Sequence, residues 1–190
     1  MALLKIARMG HPVLRHPAES VADPTAPEIE RLVRDMIETM VDAPGIGLAA
    51  PQVYFGLRIV VFHVPESRAD DAGPQPLTVL INPEVEILDS DLVGGWEGCL
   101  SIPGMMGEVP RSPRIGYRGY DLSGLVIERE ARGFHARVVQ HECDHLDGIL
   151  YPMRMTDLSR LGFSEEMRKA LDAETGDGKR KDGNESAAAD

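Results

Sequence analysis

Cysteines and aromatic residues are scarce in this 190-residue chain, which has only Cys99 and Cys143 and 5% aromatic residues. Two cysteines permit at most one disulfide bond, so a small disulfide-stapled scaffold is excluded. No apolar run approaches the roughly 18 residues of a membrane-spanning helix. The N-terminus has neither the apolar segment of a secretory signal nor an amphipathic presequence. These absences predict a cytoplasmic protein without a membrane partner.

Basic residues are also few, with 20 Lys and Arg against 31 Asp and Glu, which gives a net charge of −11. This balance argues against direct binding of nucleic acid through a broad basic surface. The apolar content of 43% is typical of a globular protein. Since roughly 150 residues is the usual size of a domain, we expect one domain over residues 1–171. Residues 172–190 lack apolar periodicity and are predicted to form a disordered polar tail.

Helical periodicity is clearest over residues 25–43, where apolar residues recur on one helical face. Thr25, with Glu28 three residues later, has the pattern of a capping box that starts this helix. A second helix is predicted over residues 133–148 and a third over residues 164–171.

Strands are predicted where β-branched and apolar residues lie between Pro, Gly and Asp clusters. These strands cover residues 57–64, 77–81, 85–88, 115–120 and 125–131. The last two flank Asp-Leu-Ser-Gly at 121–124, a hairpin pattern. A helix, then many strands, then further helices indicate an α+β fold.

The most informative stretch is His-Glu-Cys-Asp-His at residues 141–145, an H-E-x-x-H pattern within a predicted helix. At about 100° per residue, His145 comes within about 40° of His141 one turn later, so both imidazoles can bind one metal ion. Glu142 is placed to handle the proton of a metal-bound water. Cys143 points away and is typical of a small buried residue. Asp144 either orients a neighbouring group or is a solvated helix acid.

A third metal ligand is needed, and the residues alone leave two candidates. Glu165 lies 20 residues after His145 and would complete a His₂Glu site of the zinc endopeptidase kind. Cys99, in Glu-Gly-Cys-Leu-Ser at residues 97–101, offers a thiolate, which is a strong ligand for divalent ions. A closed structural metal site is a further alternative, and it would require four protein ligands.

The third segment is Gly-Ile-Gly-Leu-Ala-Ala-Pro-Gln at residues 45–52. It meets a dinucleotide-binding pattern only superficially, because it follows a helix rather than a strand and contains Pro51. Its small residues indicate a backbone that lies against a ligand or the core. Gln52 has an amide N–H that suits an oxyanion.

Together, the segments at 45–52, 97–101 and 141–145 resemble the three signature motifs of the peptide deformylase family, in the family's order. The resemblance covers about residues 3–160. It implies a catalytic metallohydrolase domain in which antiparallel sheets pack around the central H-E-x-x-H helix. It also implies hydrolysis of the N-formyl group from the N-terminal formyl-methionine of newly synthesised polypeptides, with release of formate.

By position, the resemblance assigns the metal to Cys99, His141 and His145, and it thereby favours Cys99 over Glu165 as third ligand. One divalent ion is implied, with Fe²⁺ expected in vivo and Zn²⁺, Ni²⁺ or Co²⁺ also suited to the donors. The zinc endopeptidase that uses Glu165 remains the alternative function.

The resemblance also assigns catalytic roles. Glu142 is the general base and then the general acid, while Gln52 and the backbone N–H of Leu100 bind the oxyanion. Its implied partners are N-formylmethionyl nascent peptides, with a transient ribosome contact. Arg111 is expected to pair with Asp144 behind the site.

Substrate contacts follow from the same resemblance. The peptide is expected to lie beside Ile46, Gly47 and Gly98 as an added strand, a known mode of peptide binding. Ile46 also serves, with Phe134 and Val138, as a candidate wall of the apolar pocket for the formyl-methionine side chain.

Overall fold

The computed structural model describes residues 2–181. The helices are α1 (Pro27–Asp42), α2 (Gly133–Leu146) and α3 (Ser164–Lys181). The strands are β1 (Gly47–Ala49), β2 (Ile59–Val64), β3 (Gln75–Ile87), β4 (Val93–Cys99), β5 (Ile102–Arg111), β6 (Arg114–Tyr120), β7 (Val126–Arg132) and β8 (Leu161–Phe163). They form two antiparallel sheets, ordered β1-β2-β3-β6-β7 and β4-β5-β8. The predicted α+β class is confirmed.

Helix α2 lies between the two sheets. Its buried Val139 and Cys143 share a core cluster with Phe62 and other residues of the five-stranded sheet. On the other side, Arg137 Nη1 donates to the Val109 carbonyl of the three-stranded sheet at 2.7 Å. Full burial of an apolar side chain such as Val139 or Phe62 contributes about 1.5–3 kcal/mol to the free energy of unfolding. The helix that carries the H-E-x-x-H residues is therefore held firmly relative to both sheets.

Helix α1 covers the opposite face of the five-stranded sheet. Its buried Val33 and Met36 pack with Ile59 and Val61 of β2, while alternate β2 residues such as Phe62 face α2. A strand buried on both faces explains why residues 59–64 read as a nearly continuous apolar run.

The start of α1 differs from the prediction. The helix is preceded by Ala26, with Pro27 in its first turn and no side-chain cap. Thr25 instead donates its hydroxyl to Asp23 at 2.7 Å. The predicted capping box of Thr25 and Glu28 is therefore wrong. Proline fits the first turn because its φ is already helical and the missing N–H has no partner there.

Two predicted strands, 77–81 and 85–88, are parts of the single strand β3. Its register shifts between Ile81 and Glu84, and Asn82 adopts a positive φ of 51° at this bulge. The Asn82 side chain bonds both the N–H and the carbonyl of Val21, at 2.8 and 2.9 Å. These distant hydrogen bonds compensate for the interrupted ladder.

Helix α3 continues to Lys181 and does not end at residue 171 as predicted. Lys169 pairs with Glu165 and Glu166 at 3.0 Å. Residues 172–181 continue this helix, although Gly176 and Gly178 have low helix propensity. This corrects the first part of the predicted tail, whereas residues 182–190 lie outside the described range.

Within residues 2–181, no helix combines the length and the apolar character that crossing a bilayer requires.

Burial of His135 makes stability depend on acid. The ring is buried beside Phe62 and Tyr117, and burial, reinforced by the charge of Arg129, lowers its pKa to about 4. The unfolded chain takes up this proton near pH 6.5 and the folded protein does not. The contribution of His135 to the free energy of unfolding is therefore fully present above about pH 6.5. It decreases as the pH falls, by about 2 kcal/mol at pH 5.

This expectation is tested by chemical denaturation of the wild type and His135→Gln between pH 8 and about pH 5. The acid-dependent loss should shrink in His135→Gln and persist in His16→Gln, which alters an exposed histidine. An unchanged pH dependence in His135→Gln would assign the loss to other groups.

Candidate active site

A cleft of about 580 Å³ opens beside α2. All three sequence segments that carry the motifs contribute to its lining. The lining residues predicted from sequence are Ile46, Gly47, Gln52, Gly98, Cys99, Leu100, Phe134, Val138, His141 and Glu142. Of the metal-binding, catalytic and substrate-contacting residues that the resemblance assigns, all except the buried His145 therefore line this one cleft.

Cys99, His141 and His145 converge next to the cleft. Their donor atoms all lie within 4.8 Å of one another, and Cys99 Sγ is 3.3 Å from His145 Nε2. Donors about 2.0–2.3 Å from a tetrahedral metal ion would lie about 3.6 Å apart. The cluster therefore fits one divalent ion bound by a thiolate and two imidazoles.

Glu165, the rival third ligand, is not part of this cluster. Its side chain is 80% exposed at the start of α3 and its carboxylate pairs with Lys169 at 3.0 Å. An exposed carboxylate that is already paired with a lysine does not complete the site. The endopeptidase alternative therefore loses its required ligand.

The orientation of His141 is fixed by Glu97, whose part sequence reasoning missed. Glu97 Oε2 lies 2.8 Å from His141 Nδ1, and Arg111 binds both carboxylate oxygens at 2.9 and 3.0 Å. Burial opposes ionisation, but these hydrogen bonds outweigh it and lower the pKa of Glu97 to about 2. An ionised Glu97 accepts a hydrogen bond from His141 Nδ1–H, so that the Nε2 lone pair of His141 is free to bind a metal.

Asp144 is anchored rather than solvated. Its carboxylate accepts from Arg111 Nη1, as predicted, and also from Arg154 Nη2 at 2.7 Å. Arg111 thus joins Asp144 to Glu97 behind the metal ligands. A buried charge network of this kind is strongly destabilised when one partner is removed, because the remaining charge is left unpaired.

The two cysteines occupy opposite environments. Burial disfavours the Cys99 thiolate, but the charge of His145 and hydrogen bonds with His141 and His145 hold the thiol pKa well below its ordinary value. Cys143 packs in the apolar core, and burial raises the pKa of its thiol. Cys99 therefore has the character of a ligand, and Cys143 that of the buried apolar residue that was predicted.

Glu142 lies against the backbone of β1. A Cβ atom at Gly47 would lie 2.2 Å from Glu142 Oε1, so a larger residue at Gly47 would displace the carboxylate. Glu142 Oε2 is buried without a hydrogen-bond partner within residues 2–181, and burial raises the pKa of this carboxyl. A buried carboxylate with an unpaired oxygen at a cleft is suited to proton transfer.

Gln52 directs its amide towards the cluster. It lies in the 3-10 turn Ala50–Val53, where its Oε1 accepts from the Ala49 N–H at 2.8 Å. Its Nε2 consequently lies 3.5 Å from Cys99 Sγ and 3.1 Å from Ser101 Oγ. Leu100 follows β4 in the cleft lining. Gln52 and Leu100 thus both line the cleft next to the metal ligands.

Two strand edges border the cleft. β1 and β4 are each terminal strands of their sheets, and their residues Gly47 and Gly98 both line the opening. Edge strands present unpaired backbone groups that pair with an extended peptide. Phe134 lies nearby, with the Arg68 guanidinium 4.7 Å from its ring centroid. The site therefore combines pairing edges with an apolar wall.

Comparisons with known proteins agree with this geometry. Residues 3–161 match the sequence model of the polypeptide deformylase family. The chain is 51% identical to peptide deformylase 1 of Nitrosomonas europaea over 163 residues, which cover 85% of this chain and 93% of the relative. It is 50% identical to peptide deformylase 1 of Bordetella pertussis over 168 residues, which cover 88% of this chain and 96% of the relative.

Solved structures are similar as well. The crystal structure of peptide deformylase from Ehrlichia chaffeensis has a TM-score of 0.77 at 32% identity, covering 93% of this chain and 99% of that one. A class I type b peptide deformylase from Acinetobacter baumannii, solved with Met-Ala-Ser bound, has a TM-score of 0.76 at 36% identity. That match covers 81% of this chain and 99% of the other.

Proposed function

Because the chain belongs to the peptide deformylase family, we propose that Cys99, His141 and His145 hold one divalent metal ion beside a cleft that binds N-formylmethionyl peptides. The family comprises metallohydrolases that remove the N-formyl group from nascent peptides. The observation that carries the proposal is the convergence of the three donors, within 4.8 Å, next to Glu142, whose Oε2 has no hydrogen-bond partner within residues 2–181.

A divalent ion held by these three residues would supply the Lewis acidity that makes a water molecule nucleophilic near neutral pH. A thiolate and two imidazoles suit Fe²⁺, Zn²⁺, Co²⁺ and Ni²⁺, and we propose Fe²⁺ as the ion used in vivo. Glu97 supports this role by holding the His141 ring in the tautomer that leaves Nε2 free.

Glu142 moves the proton in this proposal. Its carboxylate accepts the proton of the attacking water and delivers it to the nitrogen of the departing amine, so that formate and a free N-terminus result. Burial favours the neutral carboxyl, which brings the proton affinity closer to what a group that both takes and returns a proton requires. Packing of Glu142 against Gly47 fixes the carboxylate for both steps.

Gln52 and the backbone N–H of Leu100 are proposed to stabilise the negative charge that develops on the formyl oxygen. The Gln52 amide is held in place by the Ala49 N–H before any substrate binds. Such preorganised donors lower the barrier because they need no reorganisation during the reaction.

Gln52→Ala should therefore lower kcat by about 10²–10³-fold, equivalent to about 2.7–4 kcal/mol of barrier. Gln140→Ala is the matched control, because Gln140 lies on α2 but bonds the carbonyls of Ser112 and Ala136. Steady-state release of formate from a formyl-Met peptide measures both variants. Equal activities of Gln52→Ala and Gln140→Ala would remove Gln52 from the oxyanion site.

The peptide backbone is proposed to pair with the free edges of β1 and β4, beside Ile46, Gly47 and Gly98. Its formyl-methionine side chain would then contact Ile46, Phe134 and Val138. The Acinetobacter baumannii enzyme solved with Met-Ala-Ser bound supports a cleft of this fold that accepts short peptides. Since the family's substrates are nascent chains, we further propose a cytoplasmic site of action and a transient ribosome contact.

Metal analysis tests the assignment of the donors to a metal. The protein is purified without oxygen, its metal content is determined, and turnover of a formyl-Met peptide is measured on the same sample. We expect about one divalent ion per chain, with activity lost on chelation and restored by Fe²⁺. Full activity in chelated, metal-free protein would contradict the proposal.

A further inference from the structure

A charged residue interrupts the apolar face of α2 that borders the cleft. Phe134, Val138 and His141 lie on this face, as expected from helical spacing, and Arg137 lies among them. Arg137 lines the cleft, and its side chain is only 12% exposed. A guanidinium in this position requires acceptors, because burying an unpaired charge is costly.

Strands β4 and β5 supply those acceptors. Arg137 Nη1 donates to the Val109 carbonyl at 2.7 Å and to Glu97 Oε1 at 2.8 Å. It also lies 3.3 Å from the Gly95 carbonyl, and Nη2 donates to the Val93 carbonyl at 2.7 Å. Three backbone carbonyls and the Glu97 carboxylate, all from β4 and β5, therefore fix the guanidinium in place. The group is therefore a rigid part of the cleft wall rather than a mobile surface charge.

Gly95 leaves the space that this guanidinium occupies. A Cβ atom at Gly95 would lie 2.6 Å from both Cζ and Nη2 of Arg137. Because Arg137 lines the cleft and Gly95 does not, we expect a larger residue at Gly95 to displace the guanidinium towards the cleft. Gly95 and Arg137 together therefore determine where the apolar wall of the cleft ends.

From this arrangement we infer that Arg137 determines which side chain the cleft accepts beside Phe134 and Val138, by ending the apolar wall at a fixed cation. This inference rests on the proposed function. A fixed group limits the length of the side chain that fits. A thioether is a weak acceptor and polarizable, so it tolerates contact with a guanidinium better than a methylene does.

The decisive experiment compares three peptides that differ only in the first side chain: formyl-Met-Ala-Ser, formyl-norleucyl-Ala-Ser and formyl-ethionyl-Ala-Ser. Norleucine replaces the sulfur by a methylene, and ethionine is one methylene longer. The peptides compete in one reaction, so the ratios of kcat/KM do not depend on the fraction of metal-loaded enzyme. The variants are Arg137→Leu, Gly95→Ala, and Arg118→Leu as control, since Arg118 pairs with Glu84 at the exposed surface.

In Arg137→Leu we expect the ethionine-to-methionine ratio to rise by about tenfold, the lower end of what one methylene contributes in an apolar pocket. The norleucine-to-methionine ratio should rise as well. Gly95→Ala should lower the ethionine ratio, and this effect should vanish in the double variant with Arg137→Leu, because the two residues act through one contact. Arg118→Leu should leave every ratio unchanged.

A parallel fall for all three peptides in Arg137→Leu, together with unchanged ratios in Gly95→Ala, would show that Arg137 only links the strands, and would overturn the inference. If Arg137→Leu does not fold, the ratio in Gly95→Ala decides alone. Failure of the proposed function would look different, because the wild type would then hydrolyse none of the peptides.

Discussion

Glu142→Gln should keep its metal ion and lose about 10³–10⁴-fold in kcat. The amide has the shape of the carboxylate, so the packing against Gly47 is retained. It has no proton affinity, however, and it neither takes the proton of water nor returns it to the amine. The side chain is separated from His141 by about 100° around the helix, so it is not expected to serve as a ligand.

Metal content and single-turnover formate release, measured on one preparation, decide this assignment. Glu165→Gln is the matched control, because Glu165 is exposed and bound only to Lys169 among the contacts that the structure gives its side chain. It should keep both the metal and the activity. Loss of the metal from Glu142→Gln would mean that Glu142 is a ligand and that another group moves the proton.

Cys99→Ala should lose the metal and the activity together. Removal of a group that merely supports a ligand typically costs about 10–100-fold in metal affinity, and removal of the thiolate itself should cost more. The remaining His141 and His145 would leave the cation without its negative donor. Competition for the metal against a chelator of known affinity measures the loss.

Two control variants sharpen this second prediction. Cys143→Ala should keep the metal, because its thiol is buried in the apolar core rather than in the donor cluster. Glu165→Ala should also keep it, whereas the endopeptidase alternative requires that Glu165→Ala loses it and Cys99→Ala does not. Metal retention in Cys99→Ala would therefore revive that alternative.

Local sequence signals predicted the elements that carry their own periodicity. Helix α1 and helix α2 follow apolar spacing, and the β6–β7 hairpin follows its turn residues. Strands β4 and β5 escaped prediction, since they contain Gly and Pro residues that usually interrupt strands. The structure explains why glycine occurs in these strands. The side chains of Arg137 and Met155 occupy the space that a Cβ atom at Gly95 and Gly107, respectively, would need.

Only the family resemblance favoured Cys99 over Glu165, whereas the two histidine donors were predictable, because their i, i+4 spacing reflects the chemistry. The roles of Glu97 and Arg137 were not, because their partners come from distant segments. Glu97 meets His141 across 44 residues of sequence, and Arg137 meets Val109 across 28. Nothing local in either segment indicates these contacts. Supporting hydrogen bonds of this kind become visible only when the chain is folded.

The most direct test of the account is the identity of the products from formyl-Met-Ala-Ser. Protein loaded with Fe²⁺ without oxygen is incubated with the peptide, and formate and new N-terminal amine are quantified while mass spectrometry follows the peptide. The account predicts equal amounts of formate and intact Met-Ala-Ser. Cleavage at an internal peptide bond, or no formate from a metal-loaded sample, would contradict it.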